Sequence, residues 1–148
     1  MIASGRWQQS EKLGYSANYT FTDAEVLRGA FAGKNIPLVA RHSVLLGSDY
    51  QLDQNWQLYA ELFAISERVF SGDFDNVLNQ LPGYGVINVK AEYSYRDFVL
   101  TGRINNLLNK EYSDVGQLSF DQNTFAATEA FFTSPEINFL LTAAWQFR

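Results

Sequence analysis

The chain has 148 residues, 11 basic and 16 acidic side chains, a net charge of -5 and no cysteine. That length suits one domain. The acidic balance argues against a nucleic-acid partner, which calls for a basic face, and the missing cysteines exclude a disulfide framework or a thiolate metal site. Mean hydropathy is -0.17; this does not exclude a membrane barrel, in which alternating apolar and polar residues average out.

In chain order, the opening MIASGRWQQSEK lacks the basic, apolar and small-residue segments of a signal peptide. If the protein is exported, its signal is expected to lie outside this stretch. No run of about 18 apolar residues occurs, which rules out a spanning helix. LGYSANYTF comes next, with Leu13, Tyr15, Ala17, Tyr19 and Phe21 on one face and Gly14, Ser16, Asn18 and Thr20 on the other. Period two is the strand period. TDAEVLRGAF has a possible cap at Thr22 or Asp23 but no convincing helical stripe, so it reads as loop or strand extension.

HSVLLGSDYQL aligns Val44, Leu46, Ser48, Tyr50 and Leu52, and WQLYAELFA aligns Trp56, Leu58, Ala60, Leu62 and Ala64. VINVKAEYSY aligns Ile87, Val89, Ala91, Tyr93 and Tyr95, and FVLTGRI aligns Phe98, Leu100, Gly102 and Ile104. The phase breaks at NNLLNK, where a β-bulge is expected; the strand resumes through Tyr112 toward Phe120. The closing stretch aligns Ile137, Phe139, Leu141, Ala143, Trp145 and Phe147. The expected fold is all-β, an antiparallel meander of about six strands.

Tight turns at Asp53–Asn55 and at Arg96 and Asp97 alternate with long stretches at Asp23–Val39, Ser71–Pro82 and Asp121–Ser134. Short turns on one side and long loops on the other describe an outer-membrane barrel. The strand ends beside the short turns should then carry an interfacial aromatic girdle. Tyr50, Trp56, Tyr93, Tyr95, Phe98, Trp145 and Phe147 all fall there, on the apolar face. Tyr84–Tyr95 and Ile137–Phe147 match the roughly 9–11 residues a tilted strand needs to cross.

No catalytic constellation is present, so no enzyme activity, cofactor or metal is expected. His42 is the only histidine, placed at a strand start on the apolar side, where it reads as a rim residue. The polar face carries Arg41, Asp49, Glu61, Lys90, Glu92 and Arg103. Glu61 with Lys90, and Glu92 with Arg103, are expected within reach across neighbouring strands. They read as an ordinary wet wall, or as charges that dock another domain or line a substrate path. Phe125, Phe131 and Phe132 lie in the last long loop as candidate ligand contacts, since exposed loop aromatics often bind.

These residues also carry a family resemblance. INNLLNKEYSDVG (Ile104–Gly116) resembles the Asn-Leu-Phe-Asp-Lys-x-Tyr segment of TonB-dependent outer-membrane receptors, with Leu108 and Asn109 where Phe and Asp are usual. LPGYGVINVKAEYSY resembles that family's Pro-Gly-Tyr strand, and NIPLVARHSVLLGSDYQL its Pro-x-x-Pro-x-His strand, with Ala40 replacing the second Pro. GYSANYTFTDAE resembles its Tyr-Ser-Tyr-Thr-Asp-Ala run, and SPEINFLLTAAWQFR its closing strand, with Ile137 where Arg is common and Arg148 after the usual terminal aromatic.

The resemblance implies that residues 1–148 are the C-terminal segment of a transmembrane β-barrel, incomplete and without a plug domain. It implies an outer-membrane location and import of a scarce ligand such as a ferric siderophore or cobalamin. The implied partners are outer-membrane lipid, the remaining strands and plug of the full receptor, TonB through that plug, and the barrel assembly machinery, which would read the last strand. The fragment alone is not expected to transport. Two alternatives remain: a soluble β-sheet binding module, and a complete small barrel of eight strands that would recruit poor strands from Ile2–Gln9 and Asp121–Phe132.

Overall fold

The computed structural model describes residues 1–146. Alternation becomes strand wherever it was read: β2 (Leu13–Phe21), β3 (His42–Gln51), β4 (Trp56–Ile65), β5 (Tyr84–Tyr95), β6 (Phe98–Asn105) and β9 (Asn138–Trp145). Three further strands join them: β1 (Ile2–Gln8), β7 (Ser113–Phe120) and β8 (Ala127–Thr133). Seven strands form one sheet in the order β1-β2-β3-β4-β5-β6-β9, and β7 and β8 form a separate hairpin. All pairings between strands are antiparallel. The fold is therefore the expected all-β meander, an unclosed sheet one strand wider than read.

The register lines up the alternating apolar sets of neighbouring strands on one face. Ala17 lies opposite Leu46, Leu46 opposite Leu62, and Leu62 opposite Ile87. Tyr93 lies opposite Leu100, and Leu100 opposite Ala143. A one-residue slip would turn a whole strand's apolar set to the polar side. β1 obeys the rule through Ala3, Gly5 and Trp7, opposite Tyr19, Ala17 and Tyr15.

Backbone proximity between strands runs only between hydrogen-bonded neighbours. A soluble domain buries a sheet's apolar face under a second layer, and no second layer exists here among the described residues. Phe139 and Leu141 are each 73% exposed. A soluble module would need that face covered, and no described residue covers it. The small complete barrel fails: the sheet does not close, and the strand within Asp121–Phe132 pairs with β7 outside it.

The short turns are built locally. Asp53 Oδ1 accepts the Asn55 and Trp56 amides at 2.8 and 2.9 Å. Those two bonds favour the ionised carboxylate and hold its pKa below the usual value. Arg96 takes a φ of 53°, the left-handed conformation that a two-residue hairpin demands. With β1 in place, residues 9–12 make a third short turn on this side, where Ser10 Oγ accepts the Lys12 and Leu13 amides.

The break at NNLLNK is larger than a bulge. The chain leaves the sheet after Asn105 and regains strand at Ser113. Asn106 and Asn109 sit at φ 52° and 49°, where Asn is the usual non-glycine residue. Asn106 is buried: its amide donates to Asn88 Oδ1, while its side chain accepts from the Lys110 amide and donates to the Lys110 carbonyl. Asn109 Oδ1 accepts the Ile137 amide. Two asparagines thus make a corner that aims the hairpin away from the sheet.

Candidate functional site

The only buried apolar cluster among the described residues lies at the long-loop end. It comprises Val69, Phe70, Leu81 and Val86. Phe70 is fully buried, meets the Phe131 ring edge-on at 5.4 Å, and occupies the space a Cβ on Gly116 would need. Ser71 joins β7 as an added strand residue, donating to the Gly116 carbonyl and accepting from the Leu118 amide at 2.7 and 2.8 Å. Arg68 donates to the Asp114 and Ser113 carbonyls at 2.9 and 3.2 Å. Residues 66–83 are thus fastened to the β7–β8 hairpin.

The same loop holds residues 22–41. Asn76 exchanges two hydrogen bonds with the Asn35 backbone, Leu38 donates to the Val69 carbonyl, and Phe31 packs on Phe74. Buried Asp73 accepts the Val77 and Leu78 amides at 2.9 and 3.0 Å, which shapes the turn from within. TDAEVLRGAF is loop, and its Glu25 bridges to Asn35 just beyond it.

Where this cluster meets the sheet, polar groups converge. Asp114 accepts the Tyr84 hydroxyl on one carboxylate oxygen and Ser134 Oγ on the other. The Tyr84 and Tyr112 rings lie 4.2 Å apart, and the Arg68 guanidinium lies over Tyr84. A cavity of about 660 Å³ opens here, lined by Glu61, Asn88, Asn138, Tyr84, Tyr112 and Asp114 among others. Sequence reading missed Tyr84, Tyr112 and Asp114 as a group, because the break at residues 106–112 hides which part of the chain returns to the sheet.

The expected charge pairs do not form. Register places Glu61 opposite Asn88 and Glu92 opposite Thr101. Glu61 accepts from Tyr59 and Asn88, each at 3.1 Å. Lys90 pairs instead with Glu92 on its own strand at 3.5 Å. Arg103 lies opposite Lys90, a like charge, and donates to Asn105 at 2.7 Å. Arg41 precedes β3 and pairs with Asp23 at 2.8 Å, while Asp49 meets Arg6 at 3.5 Å. Exposed pairs of this kind contribute about 0–1 kcal/mol each.

Of the loop aromatics, Phe131 packs on Phe70. Phe132 and Phe125 stay exposed, Phe125 at a hairpin tip with φ 55°. Asp121 holds that tip by accepting the Asn123 and Thr124 amides and the Thr124 hydroxyl, which lower its pKa.

At the short-turn end, Trp56 packs on Tyr93 and Phe98 on Trp145, with ring centroids 4.9 and 6.0 Å apart. Tyr50 and Tyr95 are exposed on the same face. Trp7 stacks on Tyr15 at 5.6 Å and extends this row to β1. Phe147 and Arg148 lie outside the described residues. At the other end of the apolar face, the Tyr19 hydroxyl bonds His42 Nδ1 at 2.8 Å, and Phe21 lies against the same imidazole. No group of three or more His, Cys, Asp or Glu fit to hold a metal occurs among the described residues. Among the described residues no helix is long and apolar enough to cross a membrane, which says nothing of strands.

A family model described as TonB dependent receptor-like, beta-barrel, matches residues 2–107. Solved structures of such receptors superpose on nearly the whole chain. The siderophore receptor PiuA from Acinetobacter baumannii aligns over 97% of this chain and 21% of its own, at 20% identity and a TM-score of 0.68. A mutant of the ferric enterobactin receptor PfeA from Pseudomonas aeruginosa aligns over 99% and 22%, at 15% identity and 0.79. The copper transporter OprC aligns over 99% and 23%, at 15% identity and 0.77. At these identities the likeness is one of fold, and the chain spans about a fifth of the structures it matches. No curated protein matches the sequence.

Proposed function

From a chain that belongs to the TonB-dependent receptor family by its β-barrel match over residues 2–107, we propose a part of the wall of an outer-membrane importer. Residues 1–148 are the C-terminal barrel segment. The observation that carries this reading is the uncovered apolar face, continuous through seven strands and edged by aromatics at the short-turn end. Lipid supplies the missing second layer.

Dimensions support it. From His42 to Tyr50 the strand advances ~26 Å at about 3.3 Å per residue, or ~20 Å along the normal at about 40° of tilt. The apolar band of such barrels is about 25 Å tall. The aromatic row through Trp7, Trp56, Tyr93, Phe98 and Trp145 sits at the periplasmic interface, and His42 with Tyr19 sits at the outer one. The polar face lines the lumen, and the packed loops stand outside the cell.

The family's parts assign the rest. The other strands close the barrel, because unpaired edges in lipid cost several kcal/mol per backbone group. A plug fills the lumen, TonB acts through the plug, and the assembly machinery inserts the barrel. The cargo is a scarce ligand of the kind the family imports, a ferric siderophore or cobalamin. Lys90, Glu92 and Arg103 face the plug and dock it, and Glu61 lines the substrate path. This wall contributes shape and contacts rather than reaction chemistry.

Two experiments test this. The full receptor carrying this segment should migrate differently on a gel with and without heating, and its uptake should vanish in cells without TonB. Heat-insensitive migration, or uptake that persists without TonB, removes the importer reading. Arg103→Glu in that receptor should loosen the plug; unchanged plug retention and uptake would sink the docking role.

A further inference from the structure

The cavity beneath the loop cluster carries a chemical preference of its own. Its lining includes two carboxylates, Glu61 and Asp114, and no Lys or Arg. Arg68, over the Tyr84 ring, gives its guanidinium to the Ser113 and Asp114 carbonyls. Within this cavity an anionic ligand meets negative charge and no lining cation; Lys110 lines only the neighbouring one, beside Glu111.

What the lining offers is acceptors, amides and aromatic faces. Each carboxylate oxygen has two acceptor positions. Tyr84 and Ser134 fill one on each oxygen of Asp114, and Asn88 and Tyr59 fill one on each oxygen of Glu61. Further positions remain open to incoming O–H or N–H donors. Asn88 and Asn138 add side-chain amides beside them. Tyr84 and Tyr112 are half-exposed and together line this cavity and a neighbouring one of about 360 Å³. The Tyr112 hydroxyl has no partner among the described residues.

Fixed aromatic faces with a few convergent polar groups make a ligand pocket, and this one is held in place from behind. The Asn106 corner, the Arg68 bonds and the Phe70 core position Tyr112 and Asp114 before any ligand arrives. Preorganisation of this kind lowers the cost of binding. A metal cation is a poor occupant, since no group of three or more His, Cys, Asp or Glu fit to hold one occurs among the described residues.

We propose that Tyr112, Tyr84, Asp114 and Glu61 form a contact site for an uncharged ligand rich in hydroxyl or amide groups, and not for an anionic ferric chelate. The apolar face of such a ligand stacks on the tyrosines, and its O–H or N–H groups donate to the carboxylates. This rests on the importer reading and narrows its cargo.

The test uses the full-length receptor with three probes: cyanocobalamin (amide-rich), maltotriose (hydroxyl-rich) and ferric enterobactin (anionic). Binding is measured by calorimetry, with heat-modifiable migration recorded for every variant. Saturable binding of cyanocobalamin or maltotriose is expected, weakened about tenfold or more by Tyr112→Ala, as loss of a stacked ring and a hydrogen bond predicts. The probe that binds tells corrinoid from saccharide. Tyr112→Phe keeps the ring and should retain most of the affinity, which separates contact from fold.

Saturable binding of ferric enterobactin alone overturns the proposal. So does binding of an uncharged probe that Tyr112→Ala leaves unchanged in a heat-modifiable protein, and so does failure of all three probes to bind such a protein. A protein without heat-modifiable migration overturns the barrel reading itself.

Discussion

The sheet and the loop cluster are ordered by opposite means. The sheet has ladders of backbone bonds and almost no packing: Leu141, mid-strand in β9, is 73% exposed. The loops have few ladder bonds and the packed interior, with Phe70 fully buried and Asp73 nearly so. On the proposed reading lipid covers the wall, whose apolar residues therefore point outward. Loops that stand in water must fold on a core of their own. The same chain therefore holds two stability problems, and substitutions should separate them.

The largest effect falls in the loop cluster. Phe70→Ala should cost ~3–5 kcal/mol locally, as deletion of a buried Phe does. Limited proteolysis of the full receptor should then cut residues 66–83 and the β7–β8 hairpin while the barrel stays heat-modifiable. Simultaneous loss of the barrel would merge the two regions into one folding unit. In the wall, Leu141→Arg should cost ~2–4 kcal/mol when folding into lipid vesicles, the price of Arg at midplane depth. Thr142→Arg, on the polar face beside it, should cost far less. Equal costs would contradict the assignment of faces.

Between the regions sits the asparagine corner. Asn106→Ala strands the Lys110 amide and removes a residue suited to positive φ, so ~1–3 kcal/mol is expected, read as increased protease sensitivity of the hairpin. Lys90→Ala should change stability by no more than ~1 kcal/mol, as for exposed pairs. The smallest effect is one of pH. Asp53 has a depressed pKa from its two amide bonds, so its contribution is present above the unfolded value of 3.8. That contribution fades as pH falls through the lower folded value. Asp53→Asn should flatten this dependence in a pH series of unfolding midpoints.

How much of this was legible follows the same divide. In the wall, alternation is strong because one side of the sheet is apolar and the other polar, and β2–β6 and β9 declare themselves. β1 does not, because the face it shares is Ala3, Gly5 and Trp7; two small residues carry no hydrophobic signal, and only pairing with β2 reveals the strand. Alternation gives the face but not the register, so Glu61 and Lys90 looked like partners although register sets Glu61 against Asn88. In the loops the determinants are non-local. Nothing near Phe70 says that Gly116, far along the chain, leaves room for its ring. Tyr84, Tyr112 and Asp114 meet only because the asparagine corner turns the chain.

The proposed importer wall requires lipid to cover the apolar face. Nitroxide labels placed one at a time from Gln57 to Phe63 in the full receptor, reconstituted in vesicles, test it most directly. Alternation is expected: Leu58, Ala60 and Leu62 accessible to oxygen dissolved in the bilayer, and Gln57, Tyr59, Glu61 and Phe63 shielded from it. Uniform accessibility along β4, or the opposite phase, would contradict it.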